Sequence, residues 1–347
     1  MRILHIDSGE NWRGGQRQCL ILHKGLIKNG CDSKLICSTK GELYNQCKQI
    51  LPESLYPMDL RKNFFLSQLF VNKVIKEFRP EIVHFHDSRS ALFTFFSRRK
   101  IKTIHTRRVA YPIKYLSRFL KYKKIDCHVG VSDEITQYLS RFFKNCTTIN
   151  SCVEIERFKI KPNDVLLKNG KLNILFVGAF SSQKGIEILI NEFERTLPQK
   201  NNFVLHLVGD GELKDKITSM IETKQLASNV CFYGARLDVE NFYLLSDIVI
   251  SPSINGEGSN GVIKEAMCAR KLIIASNLKA NLEIIEDNQD GVIFNPRKIG
   301  DLSKKILSFS TNRKLDALKI EKKSEQFSCE VLIRSYLDLY TTEINRS

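Results

Sequence analysis

Eleven short runs rich in Val, Ile, Leu and Phe recur along this chain, at 2–6, 33–37, 82–86, 101–105 and 127–131, then at 173–177, 204–208, 230–233, 248–251, 272–275 and 292–294. They are continuously apolar rather than alternating, which marks strands of a parallel sheet covered on both faces. Segments of helical period stand between them, at 16–29, 67–78, 88–97 and 133–143, then at 184–195, 213–225, 260–269 and 302–309. Strand–helix–strand repetition leaves an α/β architecture as the expectation. The two series read as two doubly wound, Rossmann-like domains facing each other across a cleft. The polar stretch 159–171 is the expected linker, giving domains at 1–160 and 161–328. A last helix near 330–342, within 329–347, is expected to pack back on the first domain.

The chain has 347 residues and a net charge of +16, very unevenly spread. Residues 1–160 hold 29 Lys+Arg against 14 Asp+Glu, and the remainder 25 against 24. The excess peaks at 98–124, with eleven basic residues and no acidic one. Three readings of that segment compete: a solvated face, a nucleic-acid patch, and an anionic membrane surface. Ile113, Leu116, Phe119 and Leu120 lay a helical apolar stripe beside its lysines, and no nucleic-acid-binding motif accompanies it. No apolar run of 18 residues is present, so no spanning helix is expected, and the N-terminus turns polar too soon for a signal peptide. The ten cysteines form no C-x-x-C pair or zinc-like spacing, and read as reduced thiols of a cytosolic protein.

The chemistry concentrates in SPSINGEGSNGVIKEAMCARKLIIAS, 251–276. Glu257 stands among Gly256, Gly258 and Gly261, and Glu265 follows on a helix-like run. A Gly-rich turn opening onto a helix offers free amides and a positive dipole end to a phosphate. A carboxylate there repels phosphate but accepts hydrogen bonds from sugar hydroxyls, so the combination points to a nucleotide-sugar pocket. Upstream, Gly178 and Gly185 permit a tight turn after a strand, and Lys184 stands where it could neutralise a diphosphate. Gly209 and Gly211 mark another strand-to-helix turn. In the first half, Gly14 and Gly15 precede the first helix. His105 is expected to end a strand, with Arg107 and Arg108 in the loop beyond it. His84 and His86 end another strand and read as structural.

With these residues in place the chain resembles the family 4 glycosyltransferases of the GT-B fold, retaining enzymes that use nucleotide-sugar donors. The resemblance runs over nearly the whole length. It implies an acceptor-binding first domain and a donor-binding second one. Glu257 would hold donor-sugar hydroxyls beside the amides of Gly258, Ser259 and Asn260, Glu265 would hold the ribose, and Lys184 would stabilise the departing diphosphate. Gly178 and Gly209 would belong to the donor site, the base would lie against backbone near Gly234, and Gly14 and Gly15 would let backbone approach the donor phosphate. His105 would sit by the reacting carbon, giving His105, Lys184 and Glu257 as catalytic candidates. Two departures stand out. Ala179 replaces the family's arginine, so Lys184 or an arginine such as Arg236 must carry more, and Ser151-Cys152-Val153-Glu154 replaces an Asn-Gly-Val-Asp stretch. No Asp-x-Asp is present, and neither metal nor cofactor is expected. The expected function is transfer of a sugar to a glycan or glycolipid, in lipopolysaccharide or other surface-polysaccharide assembly. The expected location is cytoplasmic, peripheral on the inner membrane. A nucleotide-sugar epimerase and a non-catalytic nucleotide-sugar or polyanion binder are the alternatives.

Overall fold

The computed structural model describes residues 1–96, 101–163, 170–199, 202–309 and 316–346. It divides into two units, residues 1–152 with 329–347, and residues 153–328. The first unit runs β1 (Arg2–Asp7), α1 (Gly14–Lys28), β2 (Asp32–Cys37), α2 (Glu42–Ile50), β3 (Leu55–Pro57), α3 (Phe64–Phe78), β4 (Ile82–Phe85), β5 (Lys102–Arg107), α4 (Tyr115–Leu120), β6 (Cys127–Gly130), α5 (Asp133–Ser140) and β7 (Cys146–Thr148). The second runs β8 (Leu172–Val177), α6 (Ile186–Glu194), β9 (Phe203–Val208), α7 (Lys214–Thr223), β10 (Val230–Gly234), α8 (Val239–Leu245), β11 (Ile248–Ser251), α9 (Gly261–Cys268), β12 (Leu272–Ser276), α10 (Lys279–Leu282), β13 (Val292–Phe294), α11 (Asp301–Phe309) and α12 (Ala317–Ser324). The closing helix α13 (Cys329–Asn345) returns to the first unit.

Each unit is one sheet with every strand pair parallel, in the order β3-β2-β1-β4-β5-β6-β7 in the first and β10-β9-β8-β11-β12-β13 in the second. Both orders reverse direction beside their first strand, the doubly wound arrangement that continuous Val/Ile runs require once helices cover both faces. All four residues of β4 and of β11 are buried. Leu332, Tyr336 and Tyr340 of α13 join Ile3, Leu22, Leu26, Ile104 and Val129 in one apolar cluster, so the tail completes the first unit's core. Helix starts follow local chemistry: Asn63 caps α3 by accepting from Leu66 N–H at 3.1 Å, and Asp316 caps α12 through Leu318 and Lys319. Arg79, left-handed at φ 50°, ends α3 ahead of Pro80.

Several elements differ from the sequence reading. The helix expected at 88–97 is only a 3-10 turn, Ser90–Leu92, within the described part of that range, because Asp87 turns the chain there with its carboxylate. β3, β7, α2 and α8 were not read from the pattern; β3 and β7 are three-residue edge strands too short to show a period. β5 extends through Arg107, so His105 lies inside the strand rather than at its end. The chain passes between units at 152/153 and 328/329 rather than within 159–171, of which 164–169 lie outside the described residues. All ten cysteines are free thiols.

Candidate functional site

In the second unit the order reverses between β8 and β11, the place where open parallel sheets hold their ligands, in a crevice beyond the carboxyl ends of the strands. Two contacts draw the loops after β8 and β11 together. Ile254 N–H donates to Gln183 O at 2.9 Å. Gly185, at φ 67°, lies so close to Pro252 that a Cβ would stand 2.0 Å from its carbonyl oxygen. Only glycine fits that backbone and that contact. The stitching places Lys184 Nζ 2.6 Å from Glu257 Oε1, across 73 residues of sequence. Ser253 Oγ donates to the same oxygen at 2.6 Å. The Glu257 side chain is 9% exposed and that of Lys184 25%, so the pair faces the crevice from a largely dry wall.

A buried polar strut supports the loop beneath. Asn260, the residue before α9, donates from Nδ2 to Ser251 Oγ and Asn281 Oδ1, both at 2.8 Å, and Asn281 donates on to Ser276 O at 2.9 Å. The Asn260 side chain therefore holds the loop, and its carbonyl accepts from Lys264 N–H at the start of α9. Ser259 Oγ accepts from Lys264 Nζ at 2.5 Å; this fully buried lysine also sits 4.3 Å from the centre of the Phe327 ring. Glu265, half-buried on α9, lies beside the buried Tyr243 hydroxyl, whose pKa is driven well above its usual value by burial and then by the Glu265 charge. Gly258 is buried beside Glu257.

The glycines of the strand ends have structural duties that the motif reading did not separate from binding. Gly178 N–H donates to Val208 O and Gly209 N–H to Gly234 O, so both amides belong to the sheet. Gly209, at φ 148°, carries no Cβ because one would stand 1.9 Å from Gly178 O. Gly234 has open space where a Cβ would be. Arg236, the arginine offered as a stand-in for the one missing at Ala179, forks its guanidinium onto Asp238 here, with Nε to Oδ1 and Nη2 to Oδ2 at 2.8 Å each.

In the first unit the reversal falls between β1 and β4. Asp87, just past β4, accepts from Ser8 N–H (2.6 Å), Ser8 Oγ (2.9 Å), Arg89 N–H (2.7 Å) and Ser90 N–H (2.9 Å), tying the two loops together. Asp7 accepts from Gly9 N–H at 2.8 Å and Gln16 Nε2 at 3.2 Å, and its pKa is raised to about 6 by burial and then by Asp87. Above these residues lies a cavity of about 460 Å³, reached by Gly15, Gln16, His105, Arg107 and Arg108. Gly14 and Gly15 open α1 at its rim. His105 lines the cavity as a neutral imidazole. Burial first, then His128 and nearby cations, hold its pKa well below the usual value; its ring lies 4.9 Å from that of Tyr122, and Nδ1 is buried without a hydrogen-bond partner among the described residues.

Beneath this cavity, imidazole nitrogens of His5, His84 and His86 come within 4.8 Å of one another, the metal-sized cluster the described residues contain. His84 uses both nitrogens, on Tyr340 OH and Thr106 Oγ1, and His5 Nδ1 meets His86 Nε2 at 2.8 Å. These bonds tie His84 fully into the core, while His5 Nε2 and His86 Nδ1 are buried without a hydrogen-bond partner among the described residues and His86 also lines the cavity.

The basic segment 98–124 splits in two, with Arg98, Arg99 and Lys100 outside the described residues. Ile113 is buried in the core and Lys121 is buried too, its Nζ donating to Ser88 O at 2.6 Å, so neither belongs to a surface stripe. The surface is made instead by Tyr115, Leu116, Phe119 and Leu120 of α4 together with Phe65, Leu66 and Leu69 of α3, all at least half exposed. Phe95 joins the two: its carbonyl accepts from Gln68 Nε2 at 3.2 Å, and Lys124 Nζ lies 3.7 Å from its ring centre. The α3 part carried no charge run and so went unread. Asp87 was missed because its partner Ser8 is 79 residues away; Ser253 and Lys264, four and five residues from Glu257 and Ser259, were missed because neither residue type marks a site by itself.

Two family models match, "Glycosyltransferase Family 4" over residues 12–157 and "Glycosyl transferases group 1" over residues 158–326. A Klebsiella pneumoniae protein described as an uncharacterized 41.2 kDa protein in the cps region is 25% identical, covering 98% of this chain and 99% of its own length. Poly(ribitol-phosphate) alpha-N-acetylglucosaminyltransferase of Staphylococcus aureus is 30% identical over 167 residues, 46% of this chain and 33% of its own length. Among solved structures, Anabaena HepE in complex with UDP superposes with a TM-score of 0.83 at 15% identity, covering 99% of this chain and all of its own.

Proposed function

Because the chain belongs to the family 4 glycosyltransferases of the GT-B fold, we propose that it is a retaining enzyme moving a sugar from a nucleotide-sugar donor to a glycan or glycolipid acceptor. The observation that carries this reading is the Lys184–Glu257 pair at the strand-order reversal of the second unit. Glu257 accepts from donor-sugar hydroxyls and Glu265 from the ribose. Lys184 turns from its carboxylate toward the diphosphate as the bond to the anomeric carbon breaks and negative charge grows on the leaving oxygen. His105, neutral at pH 7, offers a hydrogen bond without adding a cation beside the positive charge that develops on the sugar ring. We propose no protein nucleophile and no metal. UDP in the Anabaena neighbour makes UDP-sugars the first donors to try, and the cps-region and poly(ribitol-phosphate) relatives support a role in surface-polysaccharide assembly, a lipopolysaccharide among them.

The exposed apolar residues of α3 and α4, with Lys123 and Lys124 beside them, suit an anionic bilayer: aromatic and Leu side chains enter the interface while lysines meet lipid phosphates. This supports work at the cytoplasmic face of a membrane on a lipid-linked acceptor. No helix of the described residues is long and apolar enough to cross a membrane.

The test is a thermal-shift panel of nucleotides and nucleotide-sugars, followed by product analysis with the best donor. A donor that raises the midpoint and is transferred with its anomeric configuration kept supports the reading. An epimerised sugar without transfer identifies an epimerase. Binding with neither transfer nor hydrolysis identifies a binder.

A further inference from the structure

The first-unit cavity is lined by four arginines, Arg13, Arg61, Arg107 and Arg108, against two carboxylates, Glu10 and Asp87. Glu10 stands 4.0 Å from Arg61, and Asp87 is satisfied by amides and hydroxyls of its own loops. Neither Arg107 nor Arg108 has a carboxylate within ion-pair distance among the described residues. Both Nε atoms are buried and lack a hydrogen-bond partner among the described residues. Arg107 is buried altogether, holding Tyr111 O with one terminal nitrogen and facing the Tyr138 ring at 5.8 Å. A guanidinium keeps its charge at every accessible pH, and a buried cation without a counter-charge is costly. Asp7, buried beneath the cavity, feels the Arg108 charge, yet burial raises its own pKa to about 6, and the four arginines still outnumber the carboxylates Asp7, Glu10 and Asp87 around them.

A second, independent feature points the same way. The fifteen-residue helix α1 begins at the cavity rim with Arg13 as its N-cap residue, no side-chain cap and no acid in its first turn. Its free amides and positive dipole end therefore add to an arginine-rich hollow. The volume, about 460 Å³, is that of a small-ligand pocket.

We infer that this cavity seats the charged group of an acidic acceptor, a phosphate or carboxylate carried on a sugar. The inference rests on the transferase reading and narrows its acceptor. Arg107 and Arg108 come from β5 and the loop after it, and α1 follows β1, so two separate elements present positive groups to the one cavity. A charged sugar brings hydroxyls for Asn11 and Gln16 and an anion for the arginine fork, whose planar donors match carboxylate and phosphate oxygens.

The experiment is calorimetric titration of the full chain, saturated with UDP, using glucose 6-phosphate, glucuronate, glucose and inorganic phosphate. The two acidic sugars are expected to bind at least about tenfold more tightly than glucose and than inorganic phosphate, since a charge-assisted hydrogen bond is worth about that factor. Arg108→Gln should remove roughly tenfold of this while changing UDP affinity less than about twofold. Arg13→Gln, at an exposed position, should weaken the acidic sugars in the same direction with the unfolding midpoint unchanged, so misfolding of a β5 variant does not decide the matter. Equal binding of acidic and neutral sugars, no binding of either acidic sugar, or inorganic phosphate binding as tightly as glucose 6-phosphate overturns the inference. So does loss of UDP affinity in Arg108→Gln, which would make the arginines the donor's cations in place of the one missing at Ala179. Failure of the transferase reading shows separately, as absence of UDP binding, and titrations without UDP still read the cavity.

Discussion

Replacing Lys184 by methionine removes the cation from the crevice of the second unit while keeping a long side chain over Gly178. Stability and activity should respond differently. In the resting protein Lys184 answers Glu257 at 2.6 Å, and the carboxylate retains Ser253 once the lysine is gone. Glu257 is nearly buried but Lys184 is a quarter exposed, so the stability cost is that of a half-answered carboxylate, about 1–3 kcal/mol. In a unit spanning residues 153–328 this lowers the midpoint by about 2–4 °C per kcal/mol. Lys184→Met/Glu257→Gln should recover most of that loss, because the charge stranded by the single change is gone. Turnover should behave otherwise. If Lys184 meets charge developing on the diphosphate, kcat for transfer or donor hydrolysis falls about 10²–10³-fold, as on removing one oriented donor from a developing anion, and the double variant does not recover it. Thermal unfolding of the four proteins of the cycle, with kcat measured on the same preparations, separates the two effects. A single variant with kcat within about threefold of the parent would refute the assignment, even if the stability cycle behaved as described.

Gly185→Ala should destabilise the protein by at least about 2 kcal/mol and raise the donor KM, since a Cβ meets Pro252 O at 2.0 Å in a left-handed backbone; chemical denaturation measures the first and kinetics the second. Stability should rise with pH between about 4 and 6.5. Burial holds His23 and His128 at about 4 and His5, His84, His86 and His105 well below their usual value, so the unfolded chain binds more protons across that interval, each of the first two contributing roughly 3 kcal/mol. Asp7, raised to about 6, works against the trend between about 4 and 6, so Asp7→Asn should steepen the rise seen in midpoints recorded at successive pH values. Sedimentation with vesicles containing anionic lipid should carry the protein down. Phe65→Ser with Leu69→Ser should abolish this at unchanged midpoint, and equal sedimentation with neutral vesicles would exclude the electrostatic part. Arg236→Ala should leave kcat within about twofold, because that guanidinium is held by Asp238 at the surface.

The two doubly wound sheets were legible because burial on both faces forces an unbroken apolar run, and such a run is visible one residue at a time. The edge strands β3 and β7 were not, since three residues at a sheet margin need no pattern. Glu257 and Lys184 stood out because the turns beside them need glycine, at Gly256 and Gly185, a local demand; Glu265 stood out by its place on the helix that follows. His105 was singled out as a strand end, yet its character comes from being inside β5, where burial keeps it neutral.

What the chain announced by itself was its layering, its motif residues and a basic first half, all consequences of burial periodicity and local backbone constraint. Pairing was another matter. That Lys184 rests on Glu257, that Asn260 is a strut, that Lys121 turns inward to Ser88 and that α3 supplies half of an apolar face depend on which strand ends converge at each reversal of order. Convergence is a property of strand order and loop stitching, and contacts across 73 residues of chain leave no trace in the spacing of either partner.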